Sequence, residues 1–290
     1  MRHLLSRQSI LIPLLACSMA ALAHAQEPPA SAKGKTTQSR KAQPVRSAPD
    51  LEPRAIALLK ASSDRLSGAK SLSFTAVEVL EQPSRHGHPL AYATQSEVLL
   101  QRPNRLKVVT TGDGPASEFY YNGSTVAAFA PAENLLAVAD APPTIDATLE
   151  AVYRSAGTYF PFTDLIVADP YKDMAKGLRL AYYVGQSNVV EGMTTDIVAY
   201  VDNGVFVQLW IGAEDRLPHR VRAVFLNDPE RLRHDLVLSN WRLDVTPPAD
   251  AFTPAHADSA TRIPFKHPHP EQATGTTGKT PTKTTKPTAR

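Results

Sequence analysis

The side chains best equipped for catalysis stand in no pattern that a known chemistry needs. No serine occupies Gly-x-Ser-x-Gly, the turn that lifts a nucleophile above a sheet, and no His-Glu-x-x-His supplies two zinc ligands and a base. Gly278-Lys279-Thr280 copies the end of a phosphate-binding loop. The earlier glycine is Gly275 rather than a residue at position 273, and no strand leads into the segment. His86-x-His88 and His267-x-His269 each bring two imidazoles close enough to hold a metal weakly. The first pair lies in a loop with Pro and Gly and the second in a polar tail, so solvated histidines are the better reading. Asp and Glu are dispersed over strand faces and turns, and only an acid–base pair assembled in space is left open. The expectation is a protein that is not an enzyme, with no metal and no cofactor.

The ends of the chain place it. Arg2 and Arg7 precede an apolar stretch from Ile10 to Leu22, and Ala23-His24-Ala25 offers small residues where signal peptidase reads them. The stretch is too short for a comfortable membrane span of about 20 residues. Residues 1–25 therefore read as a cleavable signal peptide, and the product as periplasmic. The alternative is Leu14-Leu15-Ala16-Cys17, which resembles a lipobox and would anchor the protein through a lipidated Cys17. Cys17 is the only cysteine, so cleavage after Ala25 leaves no thiol and no disulfide.

Charge separates arms from core. Residues 26–49 carry Lys33, Lys35, Arg40, Lys41 and Arg46 against Glu27, and residues 266–290 carry Lys266, Lys279, Lys283, Lys286 and Arg290 against Glu271. The whole chain has a formal charge of +3, which leaves residues 50–265 with a net of seven negative charges. A basic face on a fold is the footprint of a nucleic-acid binder, and this core has none. The arms are rich in Pro, Thr, Ser, Ala, Gln and Lys and too poor in apolar residues to offset the entropy of ordering, so they read as disordered. The stretch between them suits one domain.

That domain opens on a helix, with Asp50 as a cap, Pro53 in the first turn, a stripe of Ile56, Leu59 and Leu66, and a stop at Gly68. Alternation then replaces the helical period. Eleven strands are expected: 71–80, 90–101, 105–111, 116–121, 124–130, 134–139, 178–184, 189–200, 205–212, 217–226 and 234–242. Asn122-Gly123 and Asp202-Asn203-Gly204 are hairpin turns, and successive strands should pair antiparallel. Residues 141–177 break the meander. Thr144 caps a helix whose Ile145, Leu149, Val152 and Ala156 share a face and which ends at Gly157. Phe160, Phe162, Leu165 and Ile166 form a second, stopped by Asp169-Pro170, and a third turn runs from Tyr171 to Lys176. The fold class is mainly β, within α+β. A twisted antiparallel sheet of this size must curl, which gives an unclosed half-barrel with the inserted helices over its concave face. Tyr200, Phe206 and Trp210 alternate on strands and either line a cavity or pack as ordinary core.

Several stretches carry a resemblance: VLLQRPNRLK at 98–107, EFYYNG at 118–123, LPHRVRAV at 217–224, and NWRLDVTPPADAFTP at 240–254. They resemble the lipoprotein carrier and receptor (LolA/LolB-like) superfamily of the outer-membrane localisation pathway. EFYYNG and the Asp169-Pro170-Tyr171 segment bring the chain nearest an uncharacterised, predicted periplasmic branch of it. The resemblance covers roughly residues 51–265. It implies an unclosed barrel whose mouth is plugged by helices over a cavity that shelters acyl chains. Each buried methylene is worth about 0.8 kcal/mol, so a chain of ~16 carbons gains on the order of 10 kcal/mol by leaving water. Ile145, Leu149, Val152, Phe160, Phe162 and Leu165 would then face the cavity from the lid. In the carriers the arginine of the Arg-Pro-Asn turn holds the lid shut, and Arg102 matches it. A guanidinium offers five donors to the free carbonyls of a helix end, such as the one near Gly157. The alternative is a surface arginine that merely precedes a turn.

The function expected is non-enzymatic shielding of a lipid or lipoprotein acyl group, with an acylated protein and an inner- or outer-membrane protein as partners and no nucleic acid. An envelope-stress sensor or protein-interaction module on the same fold is the alternative, and an undetected hydrolase a weaker one. The processing reading predicts that intact mass of the exported protein starts at Gln26; a mass starting at a diacylated Cys17 would replace a free periplasmic protein with a membrane-anchored one.

Overall fold

The computed structural model describes residues 50–255 and 258–266. The expected signal peptide, Cys17, His267, His269 and Gly278-Lys279-Thr280 lie outside them, as does nearly all of both arms. The described chain starts with β1 (Asp50–Leu51) and α1 (Pro53–Gly68). Six strands follow: β2 (Ser71–Gln82), β3 (Leu90–Gln101), β4 (Arg105–Gly112), β5 (Ser117–Tyr121), β6 (Thr125–Ala130) and β7 (Leu135–Asp140). Then come α2 (Ile145–Ala156), α3 (Thr163–Ile166) and α4 (Pro170–Ala175). The strands resume with β8 (Leu178–Ser187), β9 (Thr195–Asp202), β10 (Val205–Gly212), β11 (Pro218–Phe225), β12 (Arg233–Leu243) and β13 (Thr261–Pro264).

Local chemistry explains the boundaries. Pro53 fixes φ at the start of α1, where its missing N–H costs nothing. Asp50 does not cap this helix. It belongs to β1, and Glu52 at the N-cap position turns its carboxylate outward to accept from the Tyr183 N–H at 2.8 Å. The Thr144 hydroxyl caps α2 by accepting from Ala147 N–H at 3.3 Å, and Gly157 ends it at φ 69°. Asp169 and Pro170, expected to stop a helix, instead begin α4, with the Asp169 carboxylate accepting from Lys172 N–H. The β9–β10 turn needs φ > 0 at both central residues, and Asn203 (47°) and Gly204 (82°) supply it.

All thirteen strands form one sheet in the order β1-β8-β9-β10-β11-β12-β2-β3-β4-β5-β6-β7-β13. Its two ends do not pair with each other, so the curled sheet is an unclosed half-barrel. Two strands exceed the expected eleven. Both are short edge strands, β1 on β8 and β13 on β7, and both pair in parallel, which adjacent hairpins cannot do. The strand expected from Val189 begins only at Thr195, because the chain turns at Gly192 (φ 73°) and leaves Val189 85% exposed. The β2–β7 and β8–β12 meanders meet through antiparallel pairing of β12 with β2.

β7 and β8 therefore lie near opposite edges, and the chain between them must traverse the sheet. α2, α3 and α4 occupy that traverse. Strand residues Leu72, Phe74, Val98, Leu100, Leu106, Val108, Phe119 and Val126 pack under Ile145, Leu149, Val152, Phe160 and Phe162 of the traverse. Ala55 and Leu59 of α1 cover the other half of the inner face, over β8, β9 and β10. On the outer face Tyr120, Ala127, Phe129 and Leu136 form a smaller cluster with Ala260 against it. The closing Phe252-Thr253-Pro254 segment buries its phenylalanine, whose ring lies 5.8 Å from the Arg105 guanidinium.

Phe162 joins traverse and sheet. It is 1% exposed, meets Phe74 edge-on at 5.4 Å and stacks with Phe160 at 5.7 Å. Phe162→Ala should cost about 3–5 kcal/mol in urea unfolding, the range of a buried phenylalanine lost to a cavity. A cost under about 1 kcal/mol would mean that the traverse is only loosely seated on the sheet.

Candidate functional site: a lidded cavity

A cavity opens between the inner face and the helices. From α1 it takes Leu59, Ser62, Ser63 and Leu66, residues three, four and seven apart that share one helical stripe. From the traverse it takes Tyr159, Pro161, Asp164, Leu165, Pro170 and Met174. Its floor is Tyr200 of β9, Val205, Val207 and Leu209 of β10, Val221, Ala223 and Phe225 of β11, and His234 and Leu236 of β12. The inward residues of β10 and β11 alternate, as period-two side chains on a half-buried strand must. The free volume is about 100 Å³. A dry engineered cavity of about 150 Å³ holds one benzene, so an acyl chain enters here only if the lid shifts.

Arg102 sits at the end of β3 and reaches two helix ends. Its Nη2 donates to Leu66 O in the last turn of α1 at 3.3 Å, and its Nη1 donates to Ile166 O, the last residue of α3, at 3.1 Å. Its own N–H donates to Lys70 O at 2.8 Å and fixes the turn. The end of α2 near Gly157 is not its partner. There the N–H groups of Gly157 and Thr158 donate to the carbonyls of Tyr153 and Val152, a left-handed glycine cap. Burial lowers the Arg102 pKa, and the Asp146 carboxylate opposes the shift. Asp146 also accepts from Ala168 N–H at 3.1 Å, which ties the start of α2 to the chain just after α3.

The other expected residues divide into three groups. Leu165 and Tyr200 line the cavity. Ile145, Leu149, Val152, Phe160 and Phe162 are buried in the core beside it, Phe160 at 5.3 Å from Phe119. Phe206 and Trp210 fall on the other face of β10, because they alternate with Val205, Val207 and Leu209; Trp210 lies 5.0 Å from the Arg220 guanidinium. Sequence reading passed over Ser62, Ser63, Asp164, His234 and Glu78. The signals were present: two serines inside an apolar helical stripe, and Glu78 at an inward position between Ala76 and Leu80.

These polar groups titrate abnormally. Burial raises Glu78 to about 7, against a Thr94 hydroxyl donating to Oε2 at 3.4 Å. Oε1 has no hydrogen bond and lies 3.8 Å from His234 Nδ1. Burial lowers His234 to about 4, with Asp235 opposing, and the Phe225 ring meets the imidazole edge-on at 4.9 Å. At neutral pH the histidine is uncharged. Burial likewise raises Tyr159 and Tyr200, and in both the charge of Asp164 adds to it. Ser63 Oγ is occupied as the acceptor for Tyr171 N–H at 3.0 Å. Among the described residues no three or more His, Cys, Asp or Glu side chains are grouped to hold a metal ion, and no helix is long and apolar enough to cross a membrane.

A family model described as "Predicted periplasmic protein (DUF2092)" matches residues 55–266. No curated protein matches the chain. LprF from Mycobacterium bovis is 18% identical with a TM-score of 0.42, over 70% of this chain and 98% of that one. The MucA/MucB complex of Pseudomonas aeruginosa gives 16% and 0.39 over 70% of this chain and 61% of the matched chain, so this chain spans about three fifths of that relative. A LolA superfamily protein from Nitrosomonas europaea gives 11% and 0.33 over 70% and 98%.

Glu78 sets a pH test. Its folded pKa of about 7 lies above the ordinary 4.5, so the folded state holds the extra proton and loses stability as pH rises from 4.5 through 7. His234 acts oppositely, losing stability as pH falls from 6.5 toward 4. Glu78→Gln should remove the loss on the alkaline side, on the order of 3 kcal/mol between pH 4.5 and 7.5. Wild-type and variant Tm curves running parallel over that range would show that Glu78 is not held protonated.

Proposed function

Because the chain belongs to this family of predicted periplasmic proteins, we propose that it is a non-enzymatic binding protein that shelters a lipid or the acyl group of a lipoprotein. The observation that carries this reading is the cavity: an apolar floor of Val205, Val207, Leu209, Val221 and Leu236 under a lid of separate short helices. A soluble carrier must bury a ligand's apolar surface when loaded and hide its own when empty. In this reading residues 1–25 are removed on export, residues 50–265 form the binding domain, and the ligand is a lipid or an acylated protein.

Arg102 is the latch of the proposal. It cross-links α1 to α3 from a turn of the sheet, so α3 can move away from α1 only by breaking one of these two charge-assisted hydrogen bonds. Residual nucleophilic chemistry has weak support here, since Ser63 is engaged and His234 has a deeply lowered pKa.

Two measurements test the reading together. Mass spectrometry of organic extracts from the purified mature protein should find acyl lipid in near-stoichiometric amount. Arg102→Leu should keep the wild-type circular dichroism and shift the lid toward open by roughly 1.5–3 kcal/mol, read as stronger ANS fluorescence and faster lipid exchange. Unchanged dye binding and exchange would remove Arg102 as the latch. A stoichiometric membrane-protein partner with no lipid would favour the interaction module instead.

A further inference from the structure

The cavity is apolar on its floor but not uniformly so, and its charge has one sign. No lysine or arginine lines it. Arg102, beside the cavity, is turned to the carbonyls of Leu66 and Ile166. His234 is neutral at pH 7 because burial holds its pKa to about 4. Asp164 on α3 is the single carboxylate in the lining. It is an exposed residue that also lines the cavity. Among the described residues its carboxylate has no hydrogen-bond or ion-pair partner. Tyr159 on the lid and Tyr200 on the floor also line the cavity, both near enough to Asp164 to feel its charge.

We propose that Asp164 is the head-group site of the cavity, and that the ligand is an amphiphile whose apolar chain ends in a protonated amine. The inference rests on the reading of the cavity as an acyl-chain site and adds the sign of the head group. Two facts favour the amine over a carboxylate or phosphate head. An anion would enter beside Asp164 in a wall that offers no lysine or arginine to compensate it. An ammonium pairs with the Asp164 carboxylate and leaves the Tyr159 and Tyr200 hydroxyls to take its remaining donors.

The test uses delipidated mature protein and three probes of equal chain length, n-decylammonium, n-decanoate and n-decanol, titrated at pH 7.5 by displacement of ANS and by calorimetry. The proposal expects decylammonium to bind roughly tenfold or more tighter than decanoate, with decanol between them. Asp164→Asn should collapse that ratio toward one while decanol affinity stays the same. The wild-type ratio is a readout independent of any variant. Decanoate binding as well as decylammonium, or a ratio untouched by Asp164→Asn, overturns the head-group assignment and leaves the acyl-chain reading standing. Binding of none of the three overturns that reading and the inference with it.

Discussion

The pairing of β12 with β2 makes one sheet out of two meanders, and the rest of the molecule is arranged around it. With that seam in the middle, β7 and β8 are forced toward opposite edges. The chain connecting them has to cross the whole width of the sheet, and the inner face is where an apolar connection lowers its free energy. The lid is thus the compulsory path of the chain. α1 comes from the other end of the sequence and lies over the half of the inner face that the traverse leaves open. The cavity is the residual space where the two covers meet without filling the curve of the sheet.

Such a seam between covers is a natural place for movement. α3 has four residues and α4 six, too few to be stable as helices without the surface beneath them. The traverse is held strongly at one end, where Phe160 and Phe162 join the rings of Phe119 and Phe74. At the cavity end the attachments are polar: Arg102 to Ile166 and Leu66, Asp146 to Ala168, and Ser63 to Tyr171. Hydrogen bonds of this kind can exchange for water at a net cost of about 1 kcal/mol each, more when charged, whereas aromatic packing cannot. The chemistry of the attachments therefore decides which part of the lid opens.

The buried polar groups belong to the same picture. A Glu with an unsatisfied oxygen beside a neutral His, both on the inner face, costs stability that a hydrophobic pair would not. The cavity lining likewise mixes Asp164, Tyr159, Tyr200 and His234 with the apolar floor of β10 and β11.

Much of this was legible in the sequence because it depends on neighbours along the chain. Period-two alternation placed the eleven central strands, Asn203-Gly204 marked a turn needing positive φ, and Thr144 and Gly157 bounded α2 through hydrogen bonds spanning a few residues. The family resemblance singled out Arg102. Other features were decided only by tertiary structure. The parallel edges β1 and β13 consist of two and four residues, too short for any period to show, and exist because a distant strand offers unpaired backbone groups. Arg102's true acceptors, 36 and 64 residues away, depend on which helix ends the fold brings beside its turn. Phe206 and Trp210 differ from Val207 and Leu209 only in parity, and which parity faces inward is set by where α1 lies. Composition and local spacing thus determined the strands and the turns, while the cavity and the charge of its lining arose where residues remote in sequence were brought together, since burial and Coulomb interaction depend on distance in space and not along the chain.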